Sequence, residues 1–141
     1  MQVDPKVKEA FELACKAQNN SYAPYSKFYV GAALKILGQD KIYSGCNVEN
    51  ASYGATICAE RNAIFSSVTQ EGKPKFEFLV VVTNTEPAIG PCALCLQVIA
   101  EFCDPEMPIY LANPEGVQQK VFFKSLLGSP FSKIPPRPEK F

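Results

Sequence analysis

Histidine and tryptophan are both absent from the 141-residue chain, and 14 Lys and Arg balance 14 Asp and Glu. Without histidine there is no imidazole to act as general base or metal ligand. A bound transition metal must then be held by sulfur or carboxylate, and a carboxylate is the natural proton carrier. A formal charge of zero, a pI near 6.3 and no block of like charges leave little to grip a phosphate backbone, so nucleic acid is not an expected partner. No apolar run approaches the ~20 residues that span a bilayer, and the first residues lack a signal-peptide pattern. We therefore expect a cytoplasmic protein without a membrane partner.

What is present is an ordinary globular composition, 47% hydrophobic and 20% charged, over a length that supports one core. A single domain over residues 1–141 is expected. Six cysteines without a secretory signal read as thiols rather than disulfides. Cys15, Cys46 and Cys103 lie among apolar residues and suit the role of small hydrophobes. Cys58, Cys92 and Cys95 are different, because the last two form a CxxC and Glu60 stands two residues after the first. Three thiolates around Zn²⁺ leave the fourth tetrahedral position for water, and a nearby carboxylate can move that water's protons. A closed zinc staple using a fourth sulfur, or a redox CxxC, are the competing readings; the third cysteine and the glutamate weigh against the redox one.

The chain order supports an α/β protein. Asp4-Pro5 opens a helix whose apolar stripe Val7, Ala10, Phe11, Ala14 and Ala17 ends near Asn19. Residues 28–37 and 41–46 read as a hairpin, and Asn47 and Glu49 beyond it share a side if the backbone stays extended. Residues 57–68 read as a helix. The continuously apolar run in 76–83 reads as a central strand. Pro91 is expected at the first position of a helix running from Cys92 to about Cys103. Strands over 108–112 and 117–122, a short helix over 123–127 and an extended, proline-rich tail over 129–141 complete a layered mixed sheet with helices on both faces.

Cys58-Ala59-Glu60-Arg61 followed by Pro91-Cys92-x-x-Cys95 resembles the small homotetrameric zinc-dependent cytidine deaminases. Tyr25-Ser26-Lys27-Phe28 with Val30-Gly31-Ala32-Ala33-Leu34, and Gly45-Cys46-Asn47-Val48-Glu49-Asn50-Ala51, are similar to the same family. The likeness is dense from Tyr25 to Cys103 and thinner elsewhere. It implies the cytidine deaminase fold, one Zn²⁺ per chain on Cys58, Cys92 and Cys95, and Glu60 as proton shuttle in hydrolytic deamination of cytidine and deoxycytidine, a step of pyrimidine salvage. It also implies ribose contacts from Asn47 and Glu49, a base contact from the backbone of Ala59, and an aromatic contact from Phe28. Ala51, Tyr53 and Phe131 match positions that reach a neighbouring subunit's site, hence a homotetramer. Arg61, three residues after Cys58, can draw charge from the thiolates. Many members carry a second arginine where this chain has Leu96. Two further readings stay open at this level: the same chemistry on a modified nucleoside or aminonucleoside antibiotic, and a zinc-stabilised binding module without turnover, which would have no use for Glu60.

Overall fold

A computed structural model of the chain describes residues 1–137; positions 138–141, the end of the expected tail, lie outside the described residues. The elements are α1 (Pro5–Gln18), β1 (Val30–Ile36), β2 (Ile42–Cys46), α2 (Ala59–Glu71), β3 (Phe76–Thr83), α3 (Ala93–Ala100), β4 (Pro108–Asn113), β5 (Gly116–Phe122) and α4 (Phe123–Leu126). The strands form one sheet in the order β2-β1-β3-β4-β5, antiparallel throughout except for the parallel pair β3 and β4. Among the described residues, no helix is long and apolar enough to cross a membrane.

The apolar run of β3 explains the layering. Successive strand side chains alternate faces, so Leu79 and Val81 join a core with α2 and α3, while Phe78, Val80 and Val82 join a second core with α1. Helices therefore cover both faces, as the sequence pattern implies. Two glycines let the helices lie close. A Cβ on Gly31 would stand 1.9 Å from the Ala14 carbonyl oxygen of α1, and one on Gly45 would stand 2.5 Å from the Ala63 nitrogen and 2.7 Å from the Ala59 oxygen of α2.

The register puts the functional ends together. Gly31 pairs with Cys46 on one side and Val82 on the other, so β2 and β3 finish at the same edge of the sheet. From that edge the chain turns into α2 after β2 and into α3 after β3, and both helix N-termini open there. This is the carboxyl end of a parallel pair, where open α/β sheets hold their ligands.

Several boundaries differ from the sequence expectation. Cys92, in extended conformation, caps α3, so Pro91 precedes the cap instead of occupying the first helical position. The helix stops at Ala100, where the Glu101 and Phe102 amides tighten onto the Val98 and Ile99 carbonyls, and the Phe102 carbonyl beyond it accepts the Phe76 amide at the start of β3. Regular pairing in β1 starts at Val30, since the Phe28 carbonyl and the Tyr29 amide are taken by the side chains of Asn47 and Asn84. α2 runs on to Glu71, where Gly72, at φ +84°, ends it. Residues 129–137 carry no helix or strand.

Candidate active site

Cys58 caps α2, Cys92 caps α3, and Cys95 lies in the first turn of α3. The three sulfurs lie within 4.8 Å of one another, and none of the other cysteines joins them. Neither capping cysteine spends its side chain on a cap hydrogen bond, which leaves both sulfurs free to turn toward a shared centre. Cys58 Sγ and Cys92 Sγ are 3.8 Å apart. Sulfurs at about 2.3 Å from one tetrahedral zinc would be about 3.8 Å apart, so the thiols present fit that ion. The helix N-termini add positive partial charge beside them, which favours thiolate.

Glu60 is 5% exposed. Two residues after Cys58 it would leave the cysteine's face on a continuous helix; because Cys58 is a cap with extended backbone, its sulfur swings clear of that constraint. Cys95 donates its S–H to Glu60 Oε2 at 3.2 Å, placing the carboxylate against the sulfur group. Burial raises the Glu60 carboxyl above its ordinary value. The Cys95 thiol, and then the Arg61 guanidinium, hold Cys58 down to about 5, while the hydrogen bond with Cys58 and burial raise Cys95. Arg61 Nη2 donates to Cys58 Sγ at 3.4 Å, and its buried Nε has no hydrogen-bond partner among the described residues. Leu96, 6% exposed, is part of the core beneath α2 and α3.

A cleft of about 540 Å³ opens in front of this group, lined by Phe28, Asn47, Glu49, Ala59, Glu60, Cys58 and Cys92. That volume suits a small ligand, for which sites of about 300–1,000 Å³ are usual. Asn47 and Glu49 reach the cleft while already engaged. The Asn47 amide donates to the Phe28 carbonyl at 2.7 Å and accepts from the Val30 amide at 2.9 Å. Glu49 accepts the Tyr25 amide at 2.9 Å, the Ser26 amide at 3.1 Å and the Ser26 hydroxyl. These bonds, the Ser26 hydroxyl foremost, keep the Glu49 carboxyl below its ordinary value. Both side chains thus hold the 25–30 segment that brings Phe28 to the cleft.

Ala51, Tyr53 and Phe131 do not line this cleft. Ala51 is exposed, Phe131 is 65% exposed, and Tyr53, at 78%, meets Tyr25 edge-on in an adjoining recess that shares Ser26, Glu49 and Thr56 with the cleft. Thr83, Ile89 and Thr56 line the cleft although nothing in the local sequence marks them. The one available signal is that Thr83 ends the central strand at the edge where both helices begin.

Residues 5–111 match the family described as the cytidine and deoxycytidylate deaminase zinc-binding region. The chain is 50% identical over 119 residues to a cytidine deaminase of Sporosarcina psychrophila, covering 84% of this chain and 85% of that protein. It is 40% identical over 119 residues to a cytidine deaminase of Halalkalibacterium halodurans, covering 84% and 89% respectively. The crystal structure of a cytidine deaminase from Burkholderia pseudomallei superposes with a TM-score of 0.81 at 41% identity, covering 88% of this chain and 98% of that one.

Proposed function

The chain belongs to the cytidine and deoxycytidylate deaminase zinc-binding family, and from that premise we propose that it hydrolyses cytidine and deoxycytidine to uridine and deoxyuridine, releasing ammonia in pyrimidine salvage. The observation that carries this reading is the buried Glu60 set against three converging thiols at the floor of a nucleoside-sized cleft. Cys58, Cys92 and Cys95 would hold one zinc per chain; the ion, when bound, supplies an activated water as nucleophile. Glu60 would take one proton from that water and deliver it to ring N3 as the oxygen bonds to C4, then take the second proton from that oxygen and pass it to the amine as the C4–N bond breaks, so water and cytidine become uridine and ammonia. A carboxyl whose affinity for protons is raised by burial is suited to both halves of that transfer. Ala59 opens α2, where first-turn N–H groups lack partners within the helix, and its backbone is free to meet the base. Phe28 provides an apolar wall, and Asn47 and Glu49 offer their remaining acceptor and donor positions to the ribose hydroxyls. Arg61 offsets the negative charge of the thiolates.

In this reading the chain is one domain whose tail, like Ala51 and Tyr53, serves a neighbouring copy within a homotetramer in the cytoplasm. The outward stance of Tyr53 and Phe131 supports it, since large aromatic rings left in water gain by being covered. Incubating the purified protein with cytidine, deoxycytidine and cytosine while following absorbance tests the activity. Turnover of both nucleosides and not of the free base is expected; turnover of cytosine alone would overturn the assignment.

A further inference from the structure

The segment after α4 has little to hold it. Among the described residues, positions 128–137 make only two hydrogen bonds to the rest of the chain, and both go to one side chain. Gln97 Nε2 donates to the Phe131 carbonyl at 2.7 Å, and Gln97 Oε1 accepts the Phe131 amide at 3.1 Å. A primary amide matches a backbone N–H and C=O in the way a neighbouring strand would, so both polar groups of that residue are satisfied by a single side chain. Pro130 before it, and Pro135 and Pro136 after it, have no N–H and so offer no backbone donor for a further anchor. Gln97 sits on α3, two residues beyond Cys95, so the same rigid helix carries a thiol of the site and the clamp on the tail.

We propose that Gln97 is a positioning residue for substrate binding: by clamping the backbone of Phe131 it sets where the Phe131 ring stands. The proposal rests on the reading that this ring meets the nucleoside in a neighbouring copy. Bound at backbone rather than ring, Phe131 keeps its aromatic face free, and its 65% exposure shows that the ring is not packed on its own chain. An unclamped tail would have to order itself on each binding event, an entropic cost that falls on affinity and not on the chemical step.

The test compares the wild type with Q97A, Q97E, F131A and the double variant Q97A/F131A. Hydrogen exchange of the 129–134 segment is followed alongside KM, kcat and melting temperature. Q97A should expose the Phe131 amide to exchange and raise KM about tenfold, the equivalent of about 1.4 kcal/mol. Its kcat should hold within about twofold. Q97E keeps an acceptor for the amide and loses the donor for the carbonyl, so it should fall between. The double variant should be no worse than F131A, because removing the clamp cannot matter once the ring is gone. If F131A raises KM while Q97A does not, or if the two effects add, the proposal fails and the role of Phe131 stands. If F131A leaves KM unchanged, the reading of Phe131 fails and the proposal falls with it. A drop in kcat or melting temperature for Q97A without a change in KM assigns Gln97 to folding and also overturns the proposal.

Discussion

Replacing Gly45 by alanine should impair catalysis out of proportion to stability. The new Cβ would lie 2.5 Å from the Ala63 nitrogen and 2.7 Å from the Ala59 oxygen, both backbone atoms of α2 that cannot rotate away. Restoring ordinary contact requires the helix to retreat from β2 by about 1 Å, an overpacking cost of about 1–3 kcal/mol. At this chain length that lowers the melting temperature by about 3–12 °C. The N-terminus of α2 carries Cys58, Glu60 and Arg61, so the same retreat pulls the Glu60 carboxylate and a thiol away from Cys92 and Cys95 on α3. A misplacement of about 1 Å can cost about 100-fold in rate. Gly31→Ala is the control. Its Cβ meets Ala14 of α1 at 1.9 Å, a worse clash on the opposite face of the sheet, and α1 contributes nothing to the cleft. Melting curves, zinc content and kcat/KM for both variants decide the matter. G45A should lose far more activity per degree of melting temperature than G31A. Equal losses per degree, or a G45A enzyme with normal kcat/KM and a lowered melting point, would refute the claim that the β2 to α2 spacing sets the site.

Two further outcomes follow from individual side chains. Leu96→Arg buries a cation in the core at a position 6% exposed, so the melting temperature should fall by about 10 °C or more and the soluble yield should drop; a variant that melts like the wild type would show that the position has access to solvent. Glu49 is held ionised by Ser26 and the Tyr25 and Ser26 amides, so its anchoring of the 25–26 turn is complete above the ordinary carboxyl value of 4.5 and is lost as pH falls through the lowered folded value. The NMR titration midpoint at the Tyr25 and Ser26 amides should therefore lie below 4.5 and move upward in S26A; a wild-type midpoint at or above 4.5 would contradict this.

Periodicity made the order of elements legible because it is a local property. The two-faced burial of 76–83 follows from its continuous run, and α1 from its stripe. The grouping of Cys58, Cys92 and Cys95 was legible for a different reason: few chemistries use three thiols and a glutamate at those spacings. What was not legible depends on pairs far apart in the chain. Asn47 and Glu49 read as side chains pointing to one side, with ribose contacts implied, and only the approach of residues 25–30 to the end of β2 shows that both are already bonded to backbone. The position of Pro91 before the cap, not after it, depends on Cys92 turning its sulfur toward Cys58, a tertiary demand that helix-start statistics do not contain. Gln97 gave no local signal at all, since its partner lies 34 residues away in a segment without secondary structure.

The central claim is that Glu60 moves protons and does not hold the metal. Glu60→Gln keeps the shape of the side chain and the three thiols, so zinc content should stay near one per chain and the melting temperature should remain close to that of the wild type. Cytidine turnover should fall by about 10²–10⁴ or more, the range for a lost general acid and base. Zinc by elemental analysis and turnover by absorbance, measured on one preparation of each protein, give the answer together. Loss of zinc in step with activity, or a zinc-loaded variant that still turns over at a wild-type rate, would contradict the claim.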